Sequence, residues 1–120
     1  MITSHFTRNM ARAALLFLAT LVGGISLASA DDVAAGKKVA FDRKKGNCLA
    51  CHMIADGSLP GNIGPPLVAM KARFPDKADL RAQIWDPTAA NTNTIMPPFG
   101  KHRILSEKEV DLITEFVYTL

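Results

Sequence analysis

Residues 48 to 52 read Cys-Leu-Ala-Cys-His, two thiols three positions apart followed at once by an imidazole. This is the spacing of c-type haem attachment. Cys48 and Cys51 are placed to form thioethers with the two porphyrin vinyl groups, and His52 then falls under the iron as proximal ligand. Cys-x-x-Cys also occurs in redox disulfides and in half of a zinc site. The first needs a βαβ surround, and the second needs two further Cys or His ligands at suitable spacing. The chain has only two cysteines, and beyond residue 30 its only other histidine is His102, so neither alternative is supported.

A six-coordinate iron needs a second side chain, and the candidates are Met53, Met70, Met96 and His102. Met53 adjoins the proximal ligand and cannot reach the far face. Met70 follows Leu67 on a helical pattern and reads as core. Met96 precedes Pro97-Pro98 in a loop, and a thioether clamped by a proline-stiffened loop suits an axial ligand. The competing reading for Met96 is packing against the porphyrin edge without coordination. His102 is the fallback, set between Lys101 and Arg103 and expected to face solvent. Paired Met and His ligation raises the reduction potential relative to two imidazoles and leaves no open position for substrate. Such a chain is an electron carrier. A sixth site left open by Met96 would instead bind small gases.

Gly64-Pro65-Pro66-Leu67 is the remaining constellation. A Pro65 carbonyl near His52 would accept its ring N–H and orient the ligand, and Leu67 would cover the porphyrin. Spacing alone equally allows two prolines that only end a loop before a helix. Lys71, Arg73, Lys101 and Arg103 are either solvated charges or groups that hold propionates and guide a partner.

The elements that must position these residues are helical. Asp31 or Asp32 can cap a first helix over 33–43, with Val33, Ala34, Val39, Ala40 and Phe41 on its apolar side. Gly36 in its middle costs about 1 kcal/mol relative to Ala unless another element packs closely there, and the last helix is the expected partner. Arg43-Lys44-Lys45 would close the helix at its negative end, and Gly46-Asn47 would turn the chain into the haem motif. A short helical turn is predicted over 67–74 and a helix over 75–84, stopped by Asp86-Pro87. Ser106 and Glu109 form a capping box for a last helix carrying Val110, Ile113, Phe116, Val117 and Leu120. No stretch alternates as a strand does. Loops 56–66 and 86–100, rich in Gly, Pro and Asn, are long enough to be functional.

The chain of 120 residues allows one domain. Its first thirty residues read as a cleaved secretory signal peptide: Arg8 and Arg12 without acidic residues, an apolar run from Ala13 to Leu27, then Ala28-Ser29-Ala30. The apolar run is short for a membrane anchor and holds Thr20, Gly23, Gly24 and Ser26. Export to the periplasm agrees with the haem motif. The formal charge of +3 falls to 12 basic against 11 acidic residues once the leader is removed. Haem propionates would take it below zero, so nucleic-acid binding finds no support. A mature chain of about ninety residues buries only about two-thirds of its unfolded surface, so a large apolar cofactor would supply missing core.

The order of apolar helix, Cys-x-x-Cys-His, Gly-Pro-x-Leu, methionine loop and terminal helix resembles a class I cytochrome c over residues 31 to 120. The resemblance implies an all-α fold of about four helices with long loops wrapped round one covalent haem c. It also implies crossed terminal helices, axial ligands His52 and Met96, and a Pro65 carbonyl on the proximal ring. In that family an aromatic lies four residues after the first-helix glycine, whereas Phe41 is five after Gly36, which leaves the helix contact open. Within the class, the runs Phe41 to His52, Leu59 to Leu67 and Met96 to Gly100 resemble the SoxX subunits of sulfur-oxidising SoxAX complexes. That resemblance implies a periplasmic heterodimer with a larger haem-containing SoxA subunit. It also implies a carrier protein whose cysteine accepts thiosulfate in an L-cysteine S-thiosulfotransferase reaction, and a downstream soluble cytochrome. A free-standing monohaem electron carrier is the alternative.

Overall fold

The computed structural model describes residues 29–120. Four α-helices follow in order: α1 Ala30–Phe41, α2 Met70–Arg73, α3 Lys77–Trp85 and α4 Glu107–Val117. Single 3₁₀ turns occur at Cys48–Ala50 and Pro87–Ala89, and among the described residues there is no strand. The signal-peptide reading falls on residues outside this range except for Ser29 and Ala30. Among the described residues no helix is long and apolar enough to cross a membrane.

α1 begins earlier than its sequence suggests. The Ser29 hydroxyl, rather than Asp31 or Asp32, accepts the Asp32 N–H at 3.1 Å. The two aspartates fall in the first turn, where their charge favours the N-terminal dipole. The helix ends at Phe41, so Arg43-Lys44-Lys45 lies beyond it in a turn that Asp42 organises by accepting the Lys44 N–H at 2.8 Å. Ala34 faces solvent instead of joining the apolar side.

α4 starts with the complete reciprocal capping box of Ser106 and Glu109 and buries Val110, Ile113, Phe116 and Val117. α1 crosses it at Gly36, where a methyl group would sit 1.9 Å from the Leu112 carbonyl oxygen. The two backbones therefore meet without a side chain between them, which is why glycine is tolerated there despite its entropic cost. Phe41 settles the contact left open by its five-residue offset. It packs edge-on against Phe116, with ring centroids 5.9 Å apart and planes at 84°. Lys45 pairs with Glu109 across the same junction.

α2 is a single turn, shorter than the predicted 67–74, and is tied to the chain's end by the Met70 N–H on the Leu120 carbonyl at 2.9 Å. Asp76 caps α3 by accepting the Ala78 N–H at 2.8 Å. α3 then lies beside α4, with Lys77 to Glu115 and Arg81 to Asp111 both at 2.6 Å on the outer rim. Leu80 and Ile84 point inward and join Ala40, Met70 and Ile113 in the core.

Candidate haem-binding site

Asn47 carries the chain into the attachment motif in the left-handed backbone region at φ 47°, a conformation that asparagine adopts more readily than most residues. The 3₁₀ turn Cys48–Ala50 follows, and the His52 N–H closes on the Cys48 carbonyl at 2.9 Å. The turn sets Cys48, Cys51 and His52 on the wall of one cavity of about 600 Å³. Burial pushes the Cys48 thiol up to about 11, so near neutral pH it stays protonated and is a poor nucleophile for disulfide exchange.

Loop 56–66 folds back along this segment. Gly61, Gly64 and Leu67 donate backbone N–H groups to the carbonyls of Leu49, Cys51 and Met53 at 2.7, 2.8 and 2.9 Å. That alignment brings the Pro65 carbonyl 2.7 Å from His52 Nδ1. A carbonyl can only accept, so Nδ1 carries the proton and the Nε2 lone pair is left free for a metal. The imidazole rests against Gly64, where a Cβ would lie 2.4 Å from Cε1.

Loop 86–100 brings Met96 to the same cavity. Its neck is closed by Lys101 Nζ on Asp86 at 2.7 Å and by the Gly100 and Lys101 N–H groups on the Trp85 carbonyl, both at 3.1 Å. The Asp86 carboxylate also accepts from Thr88, and the Lys101 hydrogen bond, with that of Thr88, holds its pKa below the ordinary value. Within the loop the Met96 N–H donates to Thr94 Oγ1 at 3.2 Å, and Gln83 Nε2 lies 4.0 Å from Met96 Sδ.

Of the other sequence candidates, Leu67 lines the cavity, Met53 is exposed, and Met70 is buried in the core with part of its surface on the cavity. His102 is exposed and does not line it. Among Lys71, Arg73, Lys101 and Arg103 only Arg73 reaches the wall, donating to the Pro66 carbonyl at 2.9 Å. Sequence reasoning missed Arg43, Lys44 and Lys45 as cavity-lining cations, because it assigned them to a helix end. It also missed Gln83, whose signal was a polar residue between Leu80 and Ile84 on the inward face of α3.

The residues present fit a haem. An imidazole with one free nitrogen, two thiols and a thioether share one largely apolar cavity, and among the described residues its charged wall groups are Arg and Lys, with no carboxylate to repel propionates. A family model described as cytochrome c oxidase, cbb3-type, subunit III matches residues 31–117. The chain belongs to this cytochrome c domain family. It is a class I c-type cytochrome, all-α, binding haem c and serving electron transfer. No curated protein gave a match.

Proposed function

We propose that this cytochrome is the electron-transfer subunit of a periplasmic thiosulfate-oxidising complex of the SoxAX type, exported by its first thirty residues. Cys48 and Cys51 hold the haem, and His52 and Met96 are its axial ligands. A bound haem supplies one-electron exchange between ferric and ferrous iron. The chain's own residues orient the ligand ring, exclude water from the cavity and present a docking rim. The partner is a larger haem-containing SoxA subunit that carries the thiosulfotransferase chemistry. Coupling thiosulfate to a carrier-protein cysteine there releases two electrons, which leave singly through this subunit to a soluble cytochrome.

The observation that carries this reading is the character of the two loops that carry the SoxX-like segments. Leu59 is 88% exposed and lies off the cavity wall, while Ile63 and Ile95 stand on that wall in the same two loops. Exposed aliphatic side chains beside a cofactor mouth suit a lasting interface better than the brief, charge-guided docking of a free shuttle. The test is an affinity pull-down of the haem-loaded protein from the periplasm of the source bacterium grown on thiosulfate. A stoichiometric larger haem protein is expected. Recovery of the monomer alone would overturn the subunit reading in favour of a free-standing carrier.

A further inference from the structure

We propose that Trp85 is a positioning residue for Met96, its indole ring pinning the returning limb of the methionine loop and so keeping the sixth position of the iron closed to small added ligands. The inference rests on Met96 being the sixth ligand. Gly100 ends that limb, is buried, and has no positive φ, so no turn conformation asks for glycine there. The ring of Trp85 does. A Cβ on Gly100 would fall 2.0, 2.2 and 2.6 Å from Cε3, Cδ2 and Cζ3, three adjoining atoms of the six-membered ring. The bare Cα therefore lies against the indole. The main chain is held at the same point, because the Trp85 carbonyl accepts the Gly100 and Lys101 N–H groups, both at 3.1 Å.

Trp85 does not line the cavity, so its ring acts on the sixth position only through the loop. The ring is itself held. It packs against the core, and the Arg81 guanidinium lies 5.3 Å from its centroid while Arg81 Nε donates to Asp111 of α4 at 2.6 Å. Between Met96 and Gly100 stand Pro97 and Pro98, whose rings fix φ and stiffen the limb, and Phe99, which is buried in the core. A sulfur leaving the iron must carry this limb with it, and the limb is stopped at its far end by ring and carbonyl. The contact at Gly100 thus opposes the loss of Met96.

The experiment uses the purified ferric holoprotein with Trp85→Leu, Gly100→Ala and both together, and with Gly36→Ala as a control that strains the α1–α4 crossing instead. Two quantities are read: the affinity for added imidazole, followed by loss of the sulfur-to-iron charge-transfer band, and the melting temperature. Leucine removes the flat ring and leaves the backbone bonds of the neck available, whereas alanine at position 100 drives a methyl group into the ring. Imidazole is expected to bind several-fold more tightly in each single variant. The double variant should gain little beyond Trp85→Leu, because the ring that the methyl group would strike is gone. Gly36→Ala is expected to melt lower at wild-type imidazole affinity. Wild-type affinity in the Trp85 and Gly100 variants would mean packing alone and would overturn the inference. Effects that simply multiply in the double variant, or a matching gain in Gly36→Ala, would overturn it as well. Absence of the band in the wild-type protein would overturn it together with Met96 ligation. None of these outcomes bears on the SoxAX assignment, which the pull-down decides separately.

Discussion

His52 is held on two sides by one loop. The Pro65 carbonyl fixes the proton on Nδ1, and the bare Cα of Gly64 leaves room for the ring to lie against the backbone. Outer-shell groups of this kind set ligand basicity and orientation, and disturbing them costs about 10- to 100-fold in metal binding. Gly64→Ala puts a methyl group where the ring now rests. The variant is expected to show a several-fold smaller fraction of low-spin, six-coordinate protein by visible spectroscopy, at equal covalent haem content. An unchanged spectrum would mean that the ring has another stable resting place.

At the scale of elements, the α1–α4 crossing and the neck of the methionine loop matter most. The crossing depends on backbone contact at Gly36, and the obstructing atom is a carbonyl oxygen that cannot rotate away as a side chain would. Gly36→Ala is therefore expected to destabilise the fold by about 3 kcal/mol or more, read as a lower urea midpoint, despite alanine's better helix propensity. The loop neck relies on Asp86, which joins Lys101 at one end of the loop to Thr88 at the other. Asp86→Asn keeps the shape but removes the charge on which both contacts draw. With Met96 and His52 as the proposed axial ligands, added imidazole should then displace Met96 at several-fold lower concentration, while the His52 side stays intact. A wild-type titration curve in this variant would show that the Trp85 carbonyl bonds alone close the loop.

For the whole molecule, charge and core both bear on stability. Hydrogen bonds from Lys45 and from the Ser106 backbone hold the Glu109 carboxyl at about 2, against an ordinary 4.5. A depressed carboxyl contributes stability that is fully present above about pH 4.5 and is lost as the pH falls toward 2, because the unfolded chain takes up the proton first. Asp86 is shifted in the same direction. Urea midpoints are expected to fall across this acid window, and Glu109→Gln should flatten the limb while lowering the neutral plateau. A variant curve parallel to wild type would remove Glu109 from the acid response. The cavity of about 600 Å³ is bordered by core residues of α2, α3 and α4, so the cofactor completes the interior that a short chain cannot fill alone.

Features governed by near neighbours in the chain were legible before any coordinates. Cys48, Cys51 and His52 follow from a five-residue motif, the Ser106–Glu109 box from a four-residue one, and the stop after α3 from Asp86-Pro87. Even the Gly36 contact with the last helix was readable, since a glycine in a helix middle asks for a close neighbour. Local sterics and hydrogen bonding decide these features wherever the segment ends up. Tertiary structure alone decided that Arg43 to Lys45 face the cavity instead of ending α1, that Phe41 meets Phe116 despite its offset, and that Gln83 reaches Met96. Each of these joins segments far apart in the chain. Their contacts depend on how the helices cross and the loops close, and no local pattern encodes that geometry.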